Sequence, residues 1–322
     1  VELTDHCLLW NLDAIGSGLG AEANEVCVSW LPLYHDMGLI GGCLFPLASG
    51  IGTNLMATEV FLTDPGFWLQ AMSMKKASIT VAPNFGYALC VKRVKEDAIA
   101  TLDLSHLRWM LCGAEPIDHE VLAAFQDKFA PAGLAPNVIL PVYGLAEATL
   151  AATFTVPGEP VKFARLDRPS LENEGRIVDS TASDAVDVVS VGTPLIDNEI
   201  RIIGEDGQDA GKDMQGEILL KSSSLMRGYF RNPEATERTI ENGWLHTGDL
   251  GFLRDGELYI TGRIKDLIIT YGRNFYPHDI ERIAQRVDGV RTGCVIAFAV
   301  HNDEESTDEI ALVAETRSTE KK

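Results

Sequence analysis

Residues 243–281, GWLHTGDLGFLRDGELYITGRIKDLIITYGRNFYPHDIE, hold three local signals in close succession. Thr247-Gly248-Asp249 reads as a turn presenting a carboxylate. Residues 251–254 and 258–260 are strand-like runs on either side of Asp255-Gly256, a dipeptide that suits a tight hairpin. Gly262-Arg263-Ile264-Lys265-Asp266 is then a short charged crossing into a new apolar run, Leu267-Ile268-Ile269, and reads as a hinge. Taken singly, Asp249 is as well explained by a turn cap, and Arg263 and Lys265 by solvated charges. Their joint spacing is what carries information.

The succession W-L-x-T-G-D, G-R-x-K-D and Y-G-R-N-x-Y-P resembles the adenylate-forming superfamily of acyl-CoA synthetases, peptide-synthetase adenylation domains, luciferases and fatty acyl-AMP ligases. The resemblance implies that Asp249 grips the ribose hydroxyls of ATP and that Arg263 reaches the same nucleotide. It also implies that Lys265, in the catalytic set, is the hinge about which a small C-terminal domain swings.

Composition narrows the alternatives. A chain of 322 residues suggests about two domains. With 46% hydrophobic and 23% charged residues it reads as globular. No apolar run approaches the ~20 residues of a membrane-spanning helix. A formal net charge of −20 argues against a nucleic-acid surface, which needs clustered Lys and Arg. It leaves room for one bound nucleotide, because a few local cations and a metal suffice. The 6 cysteines are scattered, without a CxxC pair, and most sit in apolar runs such as Glu25-Val26-Cys27-Val28. They read as reduced core residues of a cytosolic protein.

Along the chain, residues 1–12 read as a helix with Thr4 and Asp5 as caps, followed by a loop, Gly16-Ser17-Gly18-Leu19-Gly20. Residues 26–31 form a short buried strand that delivers Pro32-Leu33-Tyr34-His35-Asp36-Met37-Gly38. Thr63-Asp64-Pro65 starts a helix. Strands follow at residues 78–82, 107–112 and 138–142, and helices at Pro83-Asn84-Phe85-Gly86-Tyr87 and 118–129. Strands alternating with helices imply an α/β fold with a doubly wound, mainly parallel sheet. Ligands bind such sheets at the carboxyl ends of the strands. His35, the Gly113-Ala114-Glu115 run and the Tyr143-Gly144-Leu145-Ala146-Glu147 run all lie just past strand ends.

SWLPLYHDMGLIGG and YGLAEAT are similar to fatty acyl-AMP ligases in particular. The resemblance places His35 near the acyl carboxylate, as a catalytic residue. His35 and Asp36 would equally serve as a pair holding a loop. Tyr143 would stack on adenine with Gly144 beside it, and Glu147 would hold Mg²⁺ against the ATP phosphates, oxygen ligands suiting that hard cation. Gly113, Ala114 and Glu115 would contribute backbone contacts to the adenine. Ala146 stands where the family carries threonine, so the lost hydroxyl contact must come from elsewhere, with Thr149 the nearest candidate. Asn84, Phe85 and Tyr87 would line an acyl pocket; Phe85 and Tyr87 also fit a core aromatic pair.

Residues 151–191 show no clear periodicity, and long segments of that kind inside a domain are functional, mobile or tolerated surface loops. The resemblance makes this the extra insertion of fatty acyl-AMP ligases. Short strands at 199–203, 216–220 and around 258 read as a small distorted β-barrel subdomain. Met226-Arg227-Gly228-Tyr229 resembles the family's RGYxxxPE segment. Pro277 opens a helix, and residues 292–300 form a strand. The expected division is therefore an adenylation core at 1–263 and the start of a small α+β C-terminal domain at 264–322. Within the core, 1–191 is α/β with an insertion at about 152–191, and 192–263 is the barrel.

In the family, a Gly/Ser/Thr-rich phosphate loop ending in P-K-G lies immediately before a segment like Val1-Glu2-Leu3-Thr4, and a late lysine lies in a P-K-T-x-x-G-K context. Lys321 and Lys322 lack that context, so a fragment of about half the family length is expected. The expected activity is ATP-dependent activation of a fatty acid to acyl-AMP with Mg²⁺, for transfer to an acyl carrier protein or a synthase carrier domain. The alternatives are an acyl-CoA ligase and a catalytically silent module that holds nucleotide or acyl-AMP.

Overall fold

The computed structural model describes residues 1–270, 273–302 and 307–316. Its centre is a seven-stranded sheet in the order β2-β1-β3-β4-β5-β6-β9. The strands are β1 (Val26–Ser29), β2 (Gly52–Leu55), β3 (Ile79–Ala82), β4 (Trp109–Cys112), β5 (Ile139–Gly144), β6 (Ala151–Phe154) and, after the insertion hairpin β7 (Phe163–Leu166) and β8 (Val186–Val189), β9 (Thr193–Pro194). The first five pair in parallel, and β6 and β9 add antiparallel at the β5 edge. The α/β expectation holds. β3 and β4 are buried throughout, as continuous apolar strands between two covered faces must be.

Helices α1 (Asp5–Leu19), α2 (Gly66–Lys75), α3 (Asn84–Arg93) and α4 (His119–Phe129) supply those covers. Thr4 caps α1 by accepting from Cys7 N, as its position suggests. The loop expected at 16–20 is instead the last turn of that helix. Gly20, at φ 62°, closes it with its N–H on the Gly16 and Ser17 carbonyls, the left-handed stop that glycine makes without strain. Between α2, α3 and α4 lies an aromatic core: Trp30 stacks on Phe61 at 3.8 Å, and Tyr87 meets Trp68 and Phe125 edge-on at 5.8 Å and 5.1 Å. Such contacts add ~0.5–1.5 kcal/mol each beyond area burial.

The segment from residue 151 is not structureless. Its first residues are β6 of the main sheet. The rest folds as the β7–β8 hairpin and helix α5 (Arg168–Glu174), and Leu166, Leu171, Ile177 and Val186 form a separate small core with Phe252 and Tyr259. Each strand has only four residues, too few for a period to show in the sequence.

A second, antiparallel sheet joins β10 (Glu199–Ile203), β11 (Gly216–Lys221), β12 (Ile240–Glu241), β13 (Trp244–Arg254) and β14 (Glu257–Arg263). The hairpin at Asp255-Gly256 forms with both residues at positive φ, 54° and 82°. Thr247-Gly248-Asp249 is not a terminal turn but a bulge inside β13: pairing with β11 skips from Leu250 to His246 opposite Glu217 and Leu219. A bulge re-aims side chains, and here it turns Asp249 inward to 4% exposure.

Ile264–Asp266 makes a single 3-10 turn between β14 and the last elements. These are β15 (Ile268–Thr270), β16 (Arg273–Phe275), α6 (Pro277–Ala284), β17 (Val290–Asn302) and β18 (Thr307–Thr316). Tyr271 and Gly272 of the Y-G-R-N motif, and Lys321 and Lys322, lie outside the described residues. The insertion reaches α6: Arg168 of α5 bonds Glu172 Oε1 at 3.0 Å and Asp279 Oδ2 at 2.7 Å. Both carboxylates are buried.

Candidate active site

The strand-end loops converge on a cavity of about 290 Å³. It runs along one sheet face, from Cys27 on β1 and Ile79 on β3 to Gly113 and Ala114 past β4 and Tyr143 and Gly144 at the end of β5. Ile15, Leu19, Phe45 and Phe154 give it apolar walls, while His35, Asp36, Glu147 and Arg263 supply polar groups.

Tyr143 and Asp249 meet directly. The buried Tyr143 hydroxyl donates to Asp249 Oδ2 at 2.6 Å, and Arg263 Nε donates to Asp249 Oδ1 at 2.9 Å. The β13 bulge and the Asp249–Arg263 register pair of β13 and β14 bring these residues together. Burial pushes the Asp249 carboxyl above its ordinary range, although Tyr143 and Arg263 both pull it down. Burial, and then the Asp249 charge, drive the Tyr143 phenol well up. Asp249 keeps the Arg263 guanidinium charged.

Glu147 lies on a 3-10 turn, Ala146–Ala148, just beyond β5. The turn needs Gly144: a Cβ there would stand 1.8 Å from the Leu150 carbonyl oxygen. It also needs Thr149 at φ 69°. The Thr149 hydroxyl donates to the Ser224 carbonyl at 2.8 Å and is fully buried, so it cannot replace the hydroxyl missing at Ala146. Ser224 belongs to a buried knot in which Asn11 bonds the Ala151 carbonyl at 2.8 Å and Ser224 Oγ at 3.2 Å. The Glu147 carboxylate accepts from the Tyr229 hydroxyl at 2.7 Å. Burial and Glu147 together push that phenol up to about 12.

His35 lines the cavity with half its side chain exposed, and it also pairs with Asp36 Oδ1 at 2.7 Å. Asp36 caps the following helical segment through Met37 N at 2.6 Å. Loop-holding and a cavity position thus coexist in one residue pair.

Other expected site residues fall elsewhere. Glu115 Oε1 accepts from Phe85 N at 2.5 Å and so satisfies an orphan donor at the start of α3. Burial raises that carboxyl above its ordinary range. Asn84, Phe85 and Tyr87, expected at an acyl pocket, are not among the residues that line this cavity. Asn84 Oδ1 accepts from Asp118 N at 3.2 Å, Phe85 meets Trp30 edge-on, and Tyr87 donates to the Leu111 carbonyl within the aromatic core. The reason is the packing of α3 against α4, which takes these side chains into the helix layer. The cavity's apolar wall is built instead from α1, Phe45 and β3. Lys265 is exposed on the 3-10 turn, outside the cavity.

Comparison with known proteins settles the family. The model of the AMP-binding enzyme family matches residues 1–230. This chain is an AMP-binding enzyme family member. It is 41% identical over 304 residues to a putative acyl-CoA synthetase of Caulobacter vibrioides, covering 93% of this chain and 53% of that protein. It is 40% identical over 291 residues to a 4-hydroxyphenylalkanoate adenylyltransferase of Mycobacterium marinum, covering 86% of this chain and 46% of that one. A solved structure from work on fatty acyl-adenylate ligases of E. coli and L. pneumophila superposes with a TM-score of 0.92 at 39% identity, over 98% of this chain and 57% of that one. The chain spans about half the length of the curated relatives it matches.

Two long-range contacts made by residues outside the cavity lining carry no signal in the sequence. Tyr229 stood inside a recognised segment without a role, and its partner is 82 residues away. The Arg168–Asp279 contact spans 111 residues and has no local signal. Among the described residues no group of three or more His, Cys, Asp or Glu is arranged to hold a metal ion. A single carboxylate, Glu147, still fits magnesium, which takes one or two carboxylates and completes its shell with phosphate oxygens and water.

Proposed function

We propose that this chain forms the nucleotide- and acyl-binding part of an enzyme that activates a fatty acid with ATP. A carboxylate oxygen of the acid attacks the α-phosphorus in line. The new O–P bond forms as the bond from that phosphorus to the bridging oxygen breaks, giving acyl-AMP and pyrophosphate. Positioning and charge neutralisation dominate such steps. The single observation carrying this reading is one cavity in which Tyr143 and Arg263, both bonded to the buried Asp249 behind them, face an apolar wall.

In this reading the ribose hydroxyls donate to Asp249 and Arg263 sits beside the nucleotide. Tyr143, Gly144, Gly113 and Ala114 border the adenine, and His35 faces the acyl carboxylate. Magnesium bound at Glu147 would neutralise phosphate charge. Ile15, Leu19, Phe45 and Phe154 would bury the acyl chain at ~0.8 kcal/mol per CH₂. Lys265 would be the hinge between residues 1–263 and the C-terminal domain. The free cysteines support a reducing, cytosolic setting.

The acceptor is read as the phosphopantetheine thiol of an acyl carrier protein, or a carrier domain of a polyketide or peptide synthase. The part-buried Arg168–Asp279 contact supports this, because it ties the insertion to α6 and so penalises rotation of the C-terminal elements. An acyl-CoA ligase is the second reading, favoured by the likeness to the Caulobacter vibrioides protein. Mass spectrometry of products from the full-length protein, ATP, Mg²⁺ and a fatty acid separates them. Acyl-AMP that stays unconverted with free CoA and disappears with a carrier protein supports the first reading. Acyl-CoA formed as fast as acyl-AMP supports the second.

A further inference from the structure

We propose that Tyr229 is the positioning residue for Glu147, fixing its carboxylate so that a single oxygen, Oε2, faces a divalent cation bound to the nucleotide phosphates. The inference rests on the reading of Glu147 given above and adds a second residue to it.

The Tyr229 hydroxyl occupies Glu147 Oε1 at 2.7 Å. The backbone carbonyl of Glu147 accepts from Met226 N, also at 2.7 Å. One short loop therefore grips Glu147 by both side chain and main chain. Among the described residues no other side chain hydrogen-bonds this carboxylate. A glutamate otherwise free to turn about its side-chain bonds is left with one orientation and one open oxygen. That geometry favours monodentate coordination and disfavours a bidentate clasp.

The grip is itself supported. Tyr229 N donates to Thr236 Oγ1 at 2.9 Å, and that hydroxyl donates to the Asn232 carbonyl at 2.9 Å. Gly228 packs so tightly on Thr236 that a Cβ would meet its Cγ2 at 2.7 Å. On the other side, Glu2 N donates to the Gly228 carbonyl and Arg227 N to the Glu2 carbonyl, each at 2.8 Å. A phenol held this way acts on the ion only through the carboxylate it orients, as outer-shell partners of metal ligands do.

The test is Mn²⁺ binding to the full-length protein with a non-hydrolysable ATP analogue, with free Mn²⁺ read by electron paramagnetic resonance. Tyr229→Phe is expected to weaken Mn²⁺ in the ternary complex by roughly 10–100-fold, with metal-free analogue binding unchanged. Thr236→Val, which loosens the loop without touching Glu147, is expected to weaken Mn²⁺ in the same direction. Wild-type or tighter Mn²⁺ binding in Tyr229→Phe overturns the proposal, since the phenol would then be idle or would withhold Glu147. Glu147→Gln distinguishes the two levels. If it also leaves Mn²⁺ binding unchanged, the reading of Glu147 itself falls; if it alone weakens binding, only the role of Tyr229 falls.

Discussion

Tyr143 donates its hydroxyl to Asp249 across 106 residues of sequence, from the end of the parallel sheet to a bulge in the antiparallel one. This bond, with Arg263 on the other carboxylate oxygen, joins the two sheets at the cavity. Asp249→Ala would strand a buried phenol, at a cost of ~1–3 kcal/mol. A lower urea midpoint is therefore expected, together with loss of ATP-analogue binding. Wild-type binding in a folded Asp249→Ala protein would remove Asp249 from the nucleotide site.

The pH dependence follows from the raised Asp249 pKa. Its folded value lies above the ordinary aspartate value, so the folded state takes up the proton more readily than the unfolded chain. This group's contribution to stability is present below the ordinary value and is lost as pH rises through the folded one. Nucleotide affinity runs the other way, because ribose hydroxyls donate to the charged carboxylate. Affinity measured by fluorescence titration should fall in acid, with a midpoint above the usual aspartate range, and Asp249→Asn should lack that limb. The same acid limb in Asp249→Asn would assign it to another group.

What was legible in the sequence was what local chemistry determines. Asp255-Gly256 specifies a hairpin because both positions need positive φ, and the apolar strands β3 and β4 announce a covered parallel sheet. Gly20 misled: five residues rich in glycine read as a loop, whereas one left-handed glycine ends a helix and the others sit within it. Asn84, Phe85 and Tyr87 were assigned to an acyl pocket by resemblance alone, and which face of α3 packs on α4 is a tertiary matter that no local pattern decides. Tyr229 and Arg168 act through partners far along the chain, which no local pattern encodes.

Arg168→Ala leaves Glu172 and Asp279 as buried carboxylates without their shared cation; Arg282 still bonds Asp279. Removing one partner of such a part-buried pair, with Arg282 still in place, costs ~1–3 kcal/mol. Faster hydrogen exchange in α6 and increased thioester formation with free CoA are expected. Unchanged exchange in α6 would show that the contact does not restrain the C-terminal elements.

Lys265→Pro fixes φ in the Ile264–Asp266 turn. If this turn is the hinge, acyl transfer to a carrier should fall further than acyl-AMP formation, because hinge residues absorb dihedral changes between states. Equal loss of both half-reactions, measured separately, would count against the hinge.

The proposed function requires the cavity lined by Tyr143, Glu147 and Arg263 to bring a fatty acid to ATP. Its most direct test is isotopic exchange between pyrophosphate and ATP in the full-length protein, with and without a fatty acid. Exchange is expected to require the fatty acid and to be abolished by Asp249→Ala. Binding of ATP without exchange for any fatty acid across a series of chain lengths would contradict it.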